Sequence, residues 1–171
     1  MGHLLIDLGS SLPLRHKREG AKPQPKNKDV AVLGRSDFAG NWHLARRIDD
    51  RHGQMRGEFT GTALLTPMGD DRLDYVEVGQ MRFGTAPPMQ ATRRYRWQFL
   101  PRRVIIRFAD GGDFHSFTPA GQAAGTDHPC GEDYYTVTYD FTRWPDWRAT
   151  WVVNGPRKDY TSVTDYRRAA G

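Results

Sequence analysis

The 171-residue sequence contains few of the features that mark the common classes of site. It has one cysteine, so it cannot form an internal disulfide, and it has no C-x-x-C pair of the kind that many zinc sites use. A single cysteine is typical of a reducing compartment and predicts a cytoplasmic location. No apolar run approaches the roughly 20 residues of a membrane-spanning helix, and Leu4–Ile6 is too short for a signal-peptide core. We therefore expect no membrane partner.

The positive charge is concentrated near the start of the chain. The net charge is +5, but residues 1–36 hold seven Lys or Arg and three Asp or Glu, against 18 and 17 in the remainder. A nucleic-acid-binding domain should carry its basic surface on the folded part, so we expect no nucleic-acid partner. The polar, proline-spaced residues 1–36 predict a flexible basic extension, with an over-long start or a tail for an anionic partner as alternatives. The folded domain is predicted over residues 37–168.

From Phe38 onward, apolar and aromatic residues recur at every second position, which is the pattern of half-buried strands. Turn signals separate the runs, and no long helix is predicted. About eight to ten antiparallel strands joined by short links favour an all-β, up-and-down barrel, because closure removes exposed sheet edges. The last run, near residues 159–167, is polar on both faces, and its inward side is not decided by the pattern. The five tryptophans are interpreted as packing residues: Trp42, Trp97, Trp144, Trp147 and Trp151.

The segment Gly40-Asn41-Trp42 resembles the G-x-W signature of the calycins, the lipocalins and their relatives. In that group the tryptophan closes one end of the barrel, and a basic residue near the end of the last strand packs across it, a part that Arg167 or Arg168 could take here. Over residues 37–168 the chain also resembles an uncharacterised family, domain of unknown function 6314. This resemblance implies a calycin-like barrel and no established activity. It rests on Phe38-x-Gly40-x-Trp42, Tyr75-x-Glu77-x-Gly79, Arg94-Tyr95-x-Trp97, Asp110-Gly111 before Phe114-His115, His128-x-Cys130-x-x-Asp133-x-Tyr135, and the run Trp151 to Tyr160.

The inward positions of the predicted strands include several polar side chains. Buried charges must pair, meet water or meet a ligand, so one interpretation is an Arg–Glu–Tyr network that fixes the core. The other is a pocket whose arginines receive a carboxylate or phosphate, which would suit a small anionic or amphiphilic molecule. The turn before Tyr160 adds two cations that either are solvated or paired with Asp159, or form an anion-receiving rim. The candidate ligand-binding residues are Arg46, Tyr75, Glu77, Arg93, Tyr95, Trp97, Tyr135, Tyr139, Arg157 and Lys158.

Potentially reactive side chains cluster between residues 110 and 139, where His115, His128, Cys130 and Asp133 lie. Cys130 could act as a nucleophile with a histidine base and Asp133 as the orienting group. His115 could instead be a general acid or base with Asp133 or Glu77. The His128-x-Cys130 spacing is not a usual zinc spacing, so no metal site is assigned, and a haem would need an axial His or Tyr. No cofactor is assigned.

Three functions follow from these observations. The first is a binding protein that holds a small anionic or amphiphilic molecule in the barrel. The second is a small cytoplasmic enzyme that uses His115 with Asp133 or Glu77. The third is a filled barrel that acts as a protein-interaction domain. The first two require an internal cavity of several hundred Å³, on the scale of usual ligand sites, and the third requires a packed interior.

Overall fold

A computed structural model of the chain describes residues 30–170. This part of the chain folds as one short helix followed by antiparallel strands. The helix has four residues, so no helix in residues 30–170 could cross a membrane. The elements are α1 (Arg35–Phe38), β1 (Gly40–Asp50), β2 (Met55–Met68), β3 (Arg72–Phe83), β4 (Met89–Leu100), β5 (Arg103–Phe108), β6 (Asp113–Phe117), β7 (Gln122–Ala124), β8 (His128–Cys130), β9 (Asp133–Asp140), β10 (Trp147–Gly155) and β11 (Lys158–Arg168).

The strands form one sheet in the order β6-β5-β4-β3-β2-β1-β11-β10-β9-β7, and β8 pairs with β9. Each strand from β1 to β5 pairs with the next, and β1 also pairs with β11, which wraps the sheet into a nearly closed barrel. The prediction of an antiparallel up-and-down barrel is confirmed. The described strands number eleven rather than eight to ten, because two three-residue strands, β7 and β8, lie in the stretch that we expected to be mostly loop.

The gap in the barrel lies between β6 and β9 with its two short partners, β7 and β8, and two residues of the intervening chain bridge it. The backbone N–H of Thr126 donates to the carbonyl of Ser116 at 2.8 Å, and the Thr126 hydroxyl accepts from the Ser116 N–H at 2.9 Å. On the other side, the Gly125 N–H donates to the carbonyl of Val137 at 2.9 Å. This bridge satisfies backbone groups that an open sheet edge would leave without partners.

One end of the barrel is closed by aromatic residues. Trp42 is fully buried and donates its indole N–H to the carbonyl of Phe38 at 2.8 Å. The guanidinium of Arg168 lies 4.1 Å from the centre of the Trp42 ring system and donates to the carbonyls of Asp37 and Ala39. The calycin-like closure expected from the G-x-W segment is therefore present. Of the two arginines considered, Arg168 makes the contact, whereas Arg167 is exposed.

Residues 1–29, which make up most of the expected flexible extension, lie outside the described residues. The end of that segment does lie within them. The Leu33 N–H donates to the carbonyl of Pro119 at 2.8 Å, and the Leu33 side chain packs against the core. The ordered contacts of the domain thus begin at least four residues before residue 37.

Two glycines face each other across β2 and β3 and make room for the ring of Phe59. Gly61 pairs with Gly79, and a Cβ built on either would lie 2.7 Å from the other glycine's Cα and 2.6–2.8 Å from Cζ of Phe59. Phe59 is 1% exposed, and the guanidinium carbon of Arg46 lies 5.0 Å from its ring centre. The glycine pair therefore allows an aromatic ring to support a buried charge.

Candidate functional site

The barrel encloses a cavity of about 660 Å³ that extends from the aromatic plug toward the opposite end. The inward faces predicted for β3, β4, β5, β9 and β10 all contribute to its wall, as the period-two pattern required. Eleven of the fourteen candidate site residues lie on this wall. They are Arg46, Tyr75, Glu77, Arg93, Tyr95, Trp97, His115, His128, Cys130, Tyr135 and Tyr139.

A buried ion pair occupies the inner part of the cavity. Arg46 and Glu77 are 5% and 2% exposed, and two N–H groups of the guanidinium donate to the two carboxylate oxygens at 2.7 Å each. The Arg46 Nε–H also donates to the hydroxyl of Thr164 at 2.8 Å. Tyr75 donates to the Glu77 carboxylate at 2.8 Å, and its hydroxyl lies 3.3 Å from that of Tyr166. Each charge is thereby met by an opposite charge and by at least one hydroxyl.

The pKa values of this cluster show that the pair stays ionised. Burial alone would raise the pKa of Glu77, but the hydrogen bonds from Arg46 and Tyr75 outweigh burial and hold that pKa below its ordinary value. Burial alone would lower the pKa of Arg46, and the hydrogen bond to Glu77 reverses that effect and raises it. Burial raises the pKa of Tyr166 to about 12, so this hydroxyl remains protonated at neutral pH. The cluster is therefore electrically balanced within itself.

Arg93 is a solvent-exposed cation on the cavity wall, and no carboxylate in residues 30–170 pairs with it. It faces Glu77 across β3 and β4, yet both oxygens of Glu77 are already bonded to Arg46, and Arg93 makes no ion pair with any residue between 30 and 170. Burial raises the pKa of Tyr95, and the positive charge of Arg93 opposes this rise. Burial also raises the pKa of Tyr160, and the positive charge of Arg93 opposes that rise too.

His115 is a buried, neutral side chain that bonds to a tyrosine. Its Nε2 lies 2.7 Å from the hydroxyl of Tyr139, and its Nδ1 has no hydrogen-bond partner among the described residues. Burial, with a smaller contribution from His128, lowers the pKa of His115 to about 3. The carboxylates proposed to act with it are bonded elsewhere, Glu77 to Arg46 and Asp133 to Lys158. The predicted acid–base pairing of His115 with Asp133 or Glu77 is therefore not formed among these residues.

A β-bulge in β6 brings two consecutive side chains into the cavity. His115 pairs with Ile106, but Asp113 pairs with Arg107, so Phe114 is an extra residue without a partner on β5. In a regular strand, neighbouring side chains point to opposite faces, whereas here Phe114 and His115 both line the cavity. Regular alternation would direct only one of these two side chains into the cavity, and the bulge directs both there.

At the open end, a second polar cluster lies on the rim. Lys158 donates to the carboxylate of Asp133 at 2.6 Å and to the hydroxyl of Tyr135 at 2.9 Å, and these hydrogen bonds raise the pKa of Lys158. Of the alternatives considered for this turn, pairing of Lys158 with Asp159 is not the one observed: Lys158 bonds to Asp133, and Asp159 accepts from the Nε–H of Arg51 at 2.8 Å. Asp133, Arg157 and Lys158 are not part of the cavity wall.

The remaining reactive candidates lie on β8. Cys130 is exposed, and both it and His128 contribute to the cavity wall. The His128 ring is 6.1 Å from that of Tyr135 and 5.1 Å from that of Phe114, measured between ring centres, so it packs among aromatic groups. Within residues 30–170 no three His, Cys, Asp or Glu side chains are placed to hold a metal ion. The zinc alternative drawn from His115, His128, Cys130 and Asp133 has no ligand set in this part of the chain.

The sequence interpretation missed the whole contribution of β11. Four of its side chains lie on the cavity wall, and Thr164 and Tyr166 complete the buried polar cluster. A signal for this face was available. Arg168 was a candidate to cover Trp42 inside the barrel, and side chains at every second position of a strand share a face. The residues two, four, six and eight positions before Arg168 are therefore expected to point inward: Tyr166, Thr164, Ser162 and Tyr160.

Comparison with known proteins identifies the family. The family described as "Family of unknown function (DUF6314)" matches residues 38–168, and the chain belongs to it. No curated protein matches the chain. Among solved structures, the chain is similar to the S-type phycobiliprotein lyase CPES from Guillardia theta, with a TM-score of 0.60 and 9% identity over 80% of this chain and 91% of that one.

A second solved structure shares the fold at similar distance. It is a protein of unknown function from the DUF3598 family of Nostoc punctiforme, with a TM-score of 0.53 and 12% identity over 79% of this chain. The match covers 48% of that longer chain. At these identities the two structures establish a shared barrel fold and do not transfer an activity.

Proposed function

We propose that this DUF6314 protein binds a small anionic or amphiphilic molecule in its barrel cavity. The observation that carries the proposal is Arg93, a guanidinium on the cavity wall with no carboxylate partner in residues 30–170. A guanidinium presents a rigid fork of donors that matches a carboxylate or phosphate. An anionic group of the ligand would supply the partner that the described residues do not.

The arrangement of the two inward arginines supports this assignment. Arg46 is neutralised by Glu77, so binding an anion there would first require breaking two hydrogen bonds of 2.7 Å. Arg93 requires no such step. The anionic group is therefore expected at Arg93, and the buried pair of Arg46 and Glu77 is expected to shape the cavity and remain intact.

The cavity also offers the apolar surface that an amphiphile needs. Its volume of about 660 Å³ lies within the usual range for small-molecule sites, roughly 300–1,000 Å³. The filled-barrel alternative required a packed interior and does not match this volume. Aromatic side chains form much of the wall between Arg93 and the closed end: Tyr95, Trp97, Phe108, Phe114 and Trp151. The exposed, single Cys130 is in keeping with the cytoplasmic location that we propose.

The proposal is tested with two probes of the same chain length and opposite charge. We expect decanoate to bind, and decyltrimethylammonium to bind at least about tenfold more weakly, measured by isothermal titration calorimetry. Arg93→Gln should weaken decanoate binding by about tenfold or more, whereas Arg93→Lys should retain part of it.

The matched control is Arg94→Gln, which removes the same charge from the next residue of β4, on the outer face of the barrel. It should leave decanoate binding unchanged. Equal affinity for the two probes, or equal effects of the two glutamine variants, would overturn the proposed role of Arg93.

A further inference from the structure

Three aromatic rings are stacked in parallel across the cavity. Phe114 lies between Tyr95 and Trp151, with ring centres 5.6 Å and 5.0 Å apart and interplanar angles of 14° and 4°. Both distances are in the range of offset stacking. Tyr95 belongs to β4 and Trp151 to β10, so the stack joins opposite sides of the gap between β6 and β9. The two outer rings thus define a slot that is one ring thick.

The middle ring is held differently from the two outer rings. Tyr95 pairs in regular register with Tyr75 on β3 and with Phe108 on β5. Trp151 pairs in regular register with Val137 on β9 and with Ser162 on β11. Phe114 is the extra residue of the β6 bulge and has no partner on β5. Bulges re-aim side chains and are common beside functional sites. The Phe114 ring also packs against Phe108 and His128, with ring centres 4.6 Å and 5.1 Å apart. To leave the slot, it would give up these contacts and turn at the bulge, while the paired strands that hold the walls stay in place.

We propose that the ligand is a planar conjugated anion, and that its ring replaces Phe114 between Tyr95 and Trp151. The inference rests on the proposed binding function and adds the chemical class of the ligand. Arg93 lies two residues before Tyr95 on the same face of β4, so an anionic substituent on a ring stacked against Tyr95 lies near the guanidinium. A saturated chain of the same charge fills the cavity without using the parallel walls.

Two acids with the same carbon skeleton separate these possibilities. 2-Naphthoate is planar, and decahydro-2-naphthoate is its saturated counterpart with the same charge. The saturated acid has the larger apolar surface, so hydrophobic burial alone would favour it. Stacking on two aromatic faces favours naphthoate, and we expect the wild-type protein to bind naphthoate about fivefold or more tightly in isothermal titration calorimetry.

Substitutions in the slot should change naphthoate binding in opposite directions. Phe114→Ala removes the occupant, so the ring of the ligand no longer competes for the slot, and naphthoate should bind more tightly by about threefold to tenfold. Trp151→Leu removes a wall and should weaken naphthoate binding while leaving decahydro-naphthoate nearly unchanged. The matched control is Phe83→Ala, which enlarges the same cavity at a phenylalanine with no ring contact to another aromatic residue in residues 30–170.

The outcomes distinguish this inference from the function on which it rests. If both acids bind equally and Arg93→Gln weakens both, the anion site stands and the aromatic slot is wrong. If Phe114→Ala weakens naphthoate binding, Phe114 is part of the wall and does not hold the place of a ligand ring. If neither acid binds the wild-type protein, both proposals fail. The slot is supported if Phe114→Ala binds naphthoate more tightly than the wild-type protein and Phe83→Ala does not. In addition, Trp151→Leu should no longer prefer naphthoate to the saturated acid.

Discussion

Arg46 and Glu77 meet inside the barrel through two parallel hydrogen bonds of 2.7 Å each, although neither residue has appreciable contact with solvent. Such a pair is costly to desolvate, and its attraction offsets that cost only when the geometry is good and the remaining donors and acceptors are bonded. Here Thr164 and Tyr75 meet that condition. The pair links β1 to β3 across β2 on the wall of the cavity.

Glu77→Gln should lower the free energy of unfolding by about 3–5 kcal/mol, because it leaves the Arg46 guanidinium buried without a counter-charge. Urea denaturation at pH 7 measures this loss. Arg47→Gln is the matched control, since Arg47 pairs with Asp165 on the outside of the barrel and is 64% exposed, and such a pair contributes at most about 1 kcal/mol. Equal losses in the two variants would show that the buried pair is not a stabilising unit.

Stability should fall as the pH is lowered from 7 to 5, and His115 should account for much of the fall. The pKa of His115 is about 3 in the folded protein, against an ordinary value of 6.5. Between those values the unfolded chain binds a proton that the folded chain does not, so acid favours unfolding. The contribution approaches about 1.4 kcal/mol for each pH unit below 6.5.

The measurement is the urea midpoint of the wild-type protein and of His115→Gln at pH 7, 6 and 5. Glutamine can still bond to Tyr139 but does not titrate, so the variant should show a smaller dependence on pH. His43→Gln removes an exposed histidine on the outer face of β1 and should keep the wild-type dependence. A slope that is unchanged in His115→Gln would contradict a buried neutral imidazole.

Alanine at Gly61 or Gly79 should destabilise the protein by about 1–3 kcal/mol. The added Cβ would contact the facing glycine and the ring of Phe59 at distances well below van der Waals contact, and overpacking of this kind forces backbone shifts. Thermal unfolding followed by circular dichroism tests this. Gly112→Ala serves as the control, because a Cβ there meets nothing closer than the Asp110 carboxylate oxygen at 3.3 Å. A control variant as unstable as the other two would indicate a general cost of losing glycine.

Arg168→Ala should destabilise the closed end by about 1–3 kcal/mol, since it removes a cation–π contact with Trp42 and two hydrogen bonds to backbone carbonyls. Arg167→Ala removes an exposed arginine from the opposite face of β11 and should have little effect. Chemical denaturation of the two variants compares them directly. The order would reverse if the closure depended on Arg167.

The sequence was sufficient to predict which side chains point inward wherever apolar and polar residues alternate. The pattern is local, because each strand reports its own period, and so Arg46, Glu77 and Arg93 were placed on the inner face without knowledge of the strand order. The last strand, β11, could not be oriented in this way, because polar residues occupy both of its faces. Its orientation depends on pairing with β1, more than 100 residues earlier in the chain.

The partners of the polar groups were predicted less well, for a related reason. His115 was expected to meet Asp133 or Glu77. On β9 the residue that faces the imidazole is Tyr139, six residues after Asp133, and Asp133 bonds to Lys158 instead. The bulge at Phe114 was also missed. A single extra residue leaves the apolar pattern of β6 nearly unchanged, and it becomes visible only when β6 is aligned with β5.

The pairing of β1 with β11 has a consequence for the order in which the protein can assemble during synthesis. The first six strands can pair in turn as they leave the ribosome, and the ion pair of Arg46 and Glu77 forms within that group. One long side of β1 nevertheless waits for a partner until the last strand emerges, with Trp42 and the inner face open to water in the meantime. Contacts of such long sequence separation form slowly. The nascent chain is therefore most exposed to aggregation and to chaperone binding just before β11 is released.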